Sequence, residues 1–135
     1  MNTVAHLLDL CHELGLSATV QDGTICLCFE EPVVILVRPQ PQGVAVLRPI
    51  GRVATPYLPE AIQLANRLNA AGYGLGAFWV REQDGLVAYE VTVPAATALT
   101  PEQLGCAILA AGEQNQLCSR FAPLLHPRQP AQQIA

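Results

Sequence analysis

Lysine is absent from the 135 residues. The positive charge is seven arginines dispersed along the chain, set against eleven acidic residues for a net charge of −4. Neutralising nucleic-acid phosphates takes a basic stripe or patch, and none exists, so the composition argues against nucleic-acid binding. Charge of either sign is scarce, at 13% of residues, and does little to keep copies of the chain apart. No apolar run reaches the roughly 20 residues that cross a bilayer. The first fifteen residues have no basic segment and carry Asp9 and Glu13 where a signal peptide would be apolar, so the expectation is a cytoplasmic protein with no membrane attachment. The five cysteines are an odd number at no framework spacing, which fits a reducing compartment. Serine occurs only at 17 and 119, neither within G-x-S-x-G. One domain over residues 1–125, with a tail over 126–135, is long enough to bury about two-thirds of the unfolded surface without a disulfide or a metal.

The chain is organised instead by hydrophobic period. Leu58, Ala61, Ile62, Ala65, Leu68 and Gly72 recur at three- and four-residue steps and predict a helix, with Glu60, Gln63 and Arg67 turned away. Pro59 suits its first turn and Gly72 its C-cap. Beyond Gly72 the period falls to two. Phe78 and Val80 alternate with Trp79 and Arg81, and Val87, Tyr89, Val91 and Val93 alternate with Ala88, Glu90 and Thr92. Read as a two-residue type I′ loop, Asp84-Gly85 sets Val80 opposite Tyr89 and Phe78 opposite Val91, gathering the large apolar groups on one face. A three-residue loop would set Phe78 opposite Glu90.

Upstream, a first helix is predicted from Thr3 to Gly15, with Val4, Leu7, Leu8, Cys11 and Leu14 as its stripe. His6 and His12 lie off that stripe, more than a turn apart, and read as solvated surface residues rather than an acid–base or metal pair. Strands are expected over 18–20 and 24–29 around the turn Gln21-Asp22-Gly23, then over 33–38, a loop at 39–43, and a strand over 44–50: an antiparallel meander of three to four strands. Its middle is apolar on both faces, with Ile25, Leu27 and Phe29 against Cys26 and Cys28, and Val33, Ile35 and Val37 against Val34 and Leu36. Either helices flank both sides, therefore, or another chain supplies the second cover. Residues 51–56 read as an irregular link to the central helix. Thr100-Pro101-Glu102-Gln103 is a helix start with a capping box, and Leu104, Ala107, Ile108, Ala111, Asn115 and Cys118 carry that helix to near Phe121. The fold class is α+β: helix, meander, helix, β-hairpin, helix.

No enzyme class is supported, and no cofactor or metal is expected. Cys26-x-Cys28 on a strand is spaced poorly for a disulfide and lacks a second pair for a metal, so both cysteines read as small buried hydrophobes. Gly72-x-Gly74-x-Gly76 precedes a strand instead of opening a helix, the reverse of a phosphate loop. Glu30-Glu31 beside Pro32 reads as a solvated pair at a turn. Trp79 shares the outer hairpin face with Arg81 and Glu90. It is either an interface anchor or a residue that caps the core edge or lies under another helix. Asn66 and Asn69, late in the central helix, carry amides able to bond a backbone or the helix end.

The element order resembles the YbjN family and the related type III secretion chaperone-like fold. Asn66-Arg67-Leu68-Asn69 is similar to that family's paired asparagines late in the middle helix, Asp84-Gly85 to its hairpin turn, and residues 99–104 to its capped entry into the last helix. The link over 73–77 has no basic residue, where many relatives carry one. What the resemblance implies is a non-enzymatic, homodimer-forming protein-binding module that takes an extended segment of a partner protein, with Trp79, Arg81, Asn66 and Asn69 as candidate contacts. The alternative is a small-molecule-binding regulatory domain on the same scaffold.

Overall fold

The computed structural model describes residues 2–29, 33–72 and 74–126. Thr3 caps α1 (Val4–Glu13), its hydroxyl accepting the His6 N–H. Leu7, Leu10 and Cys11 form the buried stripe, while Val4, Leu8 and Leu14 pack at its margin. Next come β1 (Ala18–Gln21), β2 (Thr24–Cys28), β3 (Val34–Gln40) and β4 (Gly43–Arg52), then a 3₁₀ turn over Thr55–Tyr57 and α2 (Leu58–Ala71). The hairpin of β5 (Ala77–Val80) and β6 (Leu86–Pro94) leads to α3 (Pro101–Gly112), α4 (Asn115–Ser119) and a second 3₁₀ turn over Ala122–Leu124. The strands form one antiparallel sheet in the order β1-β2-β3-β4-β6-β5. α2 carries the chain from β4 to the far edge, so that β6 can return beside β4.

The two Asp-Gly turns differ. At the first hairpin Gln21 pairs with Thr24, and Asp22 (φ 51°) and Gly23 (φ 74°) both take the positive φ that a type I′ turn requires. At the second, the expected two-residue loop is replaced by a four-residue loop, residues 82–85. Val80 faces Val87 and Phe78 faces Tyr89, two positions from the sequence-derived register. An even shift preserves the inward face, so alternation alone cannot distinguish the two. The side chain of Asp84 decides: Oδ1 accepts the Leu86 N–H at 3.1 Å and both oxygens receive the Arg81 guanidinium, while Val53 N–H bonds the Gly85 carbonyl at 2.9 Å.

All four helices cover one face. Ile25, Leu27, Ile35, Val37, Val44, Val46, Val87, Tyr89 and Val91 meet Leu7 and Cys11 of α1, Ala61, Leu64, Ala65 and Leu68 of α2, Leu104, Ala107 and Ile108 of α3, and Cys118 of α4. Phe78 centres an aromatic group, with ring centroids 4.8 Å from Tyr89 and 5.5 Å from Phe121. The opposite face carries a second cluster, Val34, Leu36, Ala45, Leu47 and Ala88 with Cys26 and Trp79 against it, and no helical residue among the described ones joins it. Helices on both sides are therefore not the solution this chain adopts.

Three further expectations are corrected. Residues 51–56 are not all irregular: β4 runs on to Arg52, past a bulge between Pro49 and Gly51. His6 is half-buried, its Nε2 3.1 Å from the Leu99 carbonyl oxygen, and only His12 is exposed. The last helix does not continue to Phe121 but breaks after Gly112. At the break stands Arg48, whose place in β4 puts it on the helix face with Val44 and Val46, 7% exposed. Its Nη1 donates to the carbonyls of Ala111 (3.0 Å) and Gly112 (3.1 Å), and its Nη2 donates to Asn115 Oδ1. Those carbonyls are spent on the guanidinium, at the negative end of the helix dipole, and α4 starts afresh. The capping box at the other end forms as expected, with Thr100 and Gln103 exchanging both bonds. Glu30, Glu31, Pro32, Tyr73 and the tail beyond His126 lie outside the described residues.

Replacing Arg48 with methionine fills the volume but leaves three acceptors without their donor. A loss of about 2–3 kcal/mol is expected in urea unfolding. Arg48→Lys should recover only part of it, because one ammonium cannot reproduce the guanidinium fork.

Candidate functional site

The helix-free face is the first candidate surface. Along β3, β4 and β6 alternate residues point to this side, and Leu36 pairs with both Cys26 and Leu47, so an apolar row crosses β2, β3 and β4. The row continues to Glu90, the partner of Leu47 on β6. Trp79 on β5 faces Ala88. Half-buried, it lays its ring against the cluster and donates its indole N–H to Glu90 Oε1 at 3.2 Å, while Glu90 Oε2 accepts the Thr92 hydroxyl at 2.9 Å. The result is an apolar band with an aromatic plate at one end and a fixed carboxylate beside it. No helix lies over Trp79 among the described residues.

The other candidate residues are placed differently. Arg81 follows β5 at the turn, its guanidinium held by Asp84 with Nη2 2.7 Å from Oδ2. Arg52 Nη2 lies 3.7 Å from the same oxygen. The Arg81 hydrogen bonds, with a smaller contribution from the Leu86 N–H, hold the Asp84 carboxyl well below the usual range. Asn66 is exposed on α2, on the helix side of the sheet, and is not brought together with Trp79. Asn69 does bond a backbone, but its own chain's: Nδ2 donates to the Phe78 carbonyl and Oδ1 accepts the Phe78 N–H, both at 2.8 Å. One side-chain amide thus occupies the outer edge of β5 as a neighbouring strand would. The opposite edge, β1, pairs among the described residues only with β2 and is exposed at Thr19, Val20 and Gln21, with Val20 47% accessible.

The cysteines take no common role. Cys26 is half-buried and Cys28 exposed at the end of β2, so only part of the expectation of two buried hydrophobes holds. Burial pushes the Cys11, Cys26 and Cys118 thiols up, with Cys28 adding to the effect at Cys26; all three thereby carry less thiolate at neutral pH. No group of three or more metal-ligating side chains occurs among the described residues. The glycine-rich link is a packing device. The Tyr89 hydroxyl accepts the Gly76 N–H at 2.8 Å, and a Cβ at Gly76 would sit 2.3 Å from the Glu90 carbonyl oxygen. Sequence reasoning missed Arg48 and Tyr89 as organisers. For Arg48 the available signal was an arginine in register with core valines.

The family model of YbjN, described as "putative bacterial sensory transduction regulator", matches residues 33–126. Among solved structures, the chain is similar to YbjN from E. coli (TM-score 0.73, 13% identity, 92% of this chain and 96% of that one). It is also similar to a chain of the HopA1–SchA chaperone–effector complex (0.56, 15%, 83% and 88%). A third likeness is to a chain of the ExoU–SpcU heterodimer from the type III secretion system of Pseudomonas aeruginosa (0.61, 16%, 88% and 97%). No curated protein matches the sequence. At these identities the structural likenesses establish the α+β fold. No helix among the described residues is long and apolar enough to cross a membrane.

Two outcomes follow. Asn69→Ala removes both bonds to Phe78 and should cost about 1–2 kcal/mol, with faster amide exchange at Phe78 and concentration-dependent association as the β5 edge opens. For Asp84, the folded-state carboxyl is depressed, so its stabilisation is complete above about pH 4 and is lost as pH falls further. Because the group is partly solvated, Asp84→Asn should lower the melting temperature by only about 2–4 °C at pH 7. The gap from wild type should close on acidification.

Proposed function

The chain belongs to the YbjN family, and from that premise we propose that it is a non-enzymatic, cytoplasmic protein-binding module, chaperone-like or regulatory, that holds an extended segment of a partner protein. The observation that carries this reading is the apolar band on the helix-free face, with Trp79 at one end and an open strand edge, β1, at the other side of the same sheet. An extended segment needs main-chain hydrogen bonds from an edge and shallow apolar contacts for alternate side chains, and neither requires a catalytic motif. Asn69 closes β5, which directs strand addition to β1. Trp79, at the opposite edge from β1, is the proposed anchor for a further stretch of the partner that crosses the helix-free face, and Arg81 a rim contact. Asn69 acts by shaping the edge, and Asn66, on the opposite side, contributes only if the partner wraps around α2. That the chain is similar to a member of a chaperone–effector complex supports the choice of a protein ligand.

A second copy of the chain is the other partner this face suits. We propose a homodimer formed over Trp79, burying on the order of 1,200 Å² or more in total. Such an interface does not extend to α3, which lies across the sheet.

A screen of unfolded peptides should yield binders in the micromolar range. Trp79→Ala should weaken the best of them by about thirtyfold, as loss of an anchor does, and Val20→Lys on β1 should weaken it independently. Absence of any peptide binding below millimolar rejects the reading. For the dimer, sedimentation should show two copies at micromolar concentration for wild type and a monomer for Trp79→Arg; a wild-type monomer rejects it.

A further inference from the structure

Six arginines fall within the described residues, and four have partners: Arg38 donates to Thr24, Arg48 to the end of α3, and Arg52 and Arg81 approach Asp84. The side chains of Arg67 and Arg120 make neither a hydrogen bond nor an ion pair with any described residue, and both line one cleft of about 330 Å³. One wall is a single face of α2, where Glu60, Gln63, Leu64 and Arg67 follow at helical spacing; the other is Arg120 with Pro123 and Leu124. That second wall is tied down. Ala54 N–H bonds the Leu124 carbonyl at 3.1 Å, Val53 bridges to Leu125, His126 N–H bonds the Arg52 carbonyl at 2.8 Å, and Phe121 is fully buried. Glu60 lies two turns before Arg67, about 10 Å along the axis. The cleft therefore combines the apolar side chains of Leu64, Pro123 and Leu124 with two guanidiniums that have no partner among the described residues and a carboxylate set apart from Arg67.

We propose that this cleft binds a small monocarboxylate with an apolar body, of aryl- or alkyl-acid size. Arg67 and Arg120 take the carboxylate, Leu64, Pro123 and Leu124 the body, and Glu60 repels a second negative charge. The volume is at the small end for ligand pockets, and guanidinium forks match a carboxylate in geometry as well as charge. This site lies on the helix side, away from the Trp79 face, and stands or falls independently of the protein-binding reading.

Calorimetry on the full chain with phenylacetate tests it. Phenylacetate should bind in the millimolar range or tighter, and neutral phenylacetamide and the diacid 1,4-phenylenediacetate about tenfold more weakly. Chemical-shift changes should centre on the methyls of Leu64 and Leu124. Arg67→Gln and Arg120→Gln, at exposed positions that leave the melting temperature unchanged, should each weaken phenylacetate several-fold and together by at least about tenfold. Glu60→Gln should bring the diacid close to phenylacetate. The proposal is overturned if phenylacetate does not bind up to about 10 mM, if the double variant binds it unchanged, or if inorganic phosphate binds as tightly, which would mark a general anion contact.

Discussion

A guanidinium placed among valines is tolerable only where enough acceptors converge on it, and Arg48 meets that demand with a helix end in place of a carboxylate. The carbonyls of Ala111 and Gly112 and the amide oxygen of Asn115 receive it, and the negative end of the α3 dipole offsets part of the cost of removing the charge from water. The helix end that Arg48 caps is also where the chain changes direction. Because the helix stops at Gly112, α4 can set out on a new course that brings Cys118 and Phe121 into the core. Phe121 then stacks near Phe78, and Phe78 beside Tyr89, whose hydroxyl fixes the link leading into β5. The same course carries Arg120, Pro123 and Leu124 to their place opposite α2.

The sheet is built asymmetrically, and the asymmetry bears on function. All four helices share one face, which leaves the other with an apolar cluster made of strand residues alone. Open faces and open edges promote association, and proteins ordinarily blunt them. Here one edge is blunted and one is not. Asn69 reaches from the last turn of α2 to satisfy both backbone groups of Phe78, whereas β1 has three exposed residues and no neighbour beyond β2. The two edges are thus unequal: a dedicated side chain covers one, and no described residue covers the other.

Sparse charge sharpens this arrangement. The chain has no lysine and only seven arginines, and four of the guanidiniums have a traceable use among the described residues: a helix end, a turn carboxylate approached by two of them, and a strand hydroxyl. Asp84 shows how much one acidic side chain can organise when little else competes, since it orders a four-residue loop, binds Arg81 and draws Arg52 near. The arginines left over gather at a cleft instead of spreading across the surface.

What the chain specified locally could be read directly. The Thr100–Gln103 capping box, the type I′ turn at Asp22-Gly23, most of the stripes of α1, α2 and α3, though not Leu10 or Leu64, and the two faces of β2, β3, β5 and β6 depend on neighbours within about four positions, where periodicity and rotamer geometry act. The likeness to YbjN was legible for the same reason, through short motifs in a fixed order. Four things were decided only by tertiary structure. The second hairpin is two residues off the expected register: Asp84 bonds its near neighbours Arg81 and Leu86, but the long-range bond from Val53 N–H to the Gly85 carbonyl is tertiary, and an even shift leaves no trace in alternation. The last helix ends where an arginine over sixty positions away in sequence bonds its final carbonyls. Asn69 was readable as an amide able to bond a backbone; that the backbone belongs to β5 depends on how α2 lies along the sheet. And the placing of every helix on one side, which leaves Trp79 and its cluster uncovered, follows from how the elements pack together, a choice no window of sequence contains.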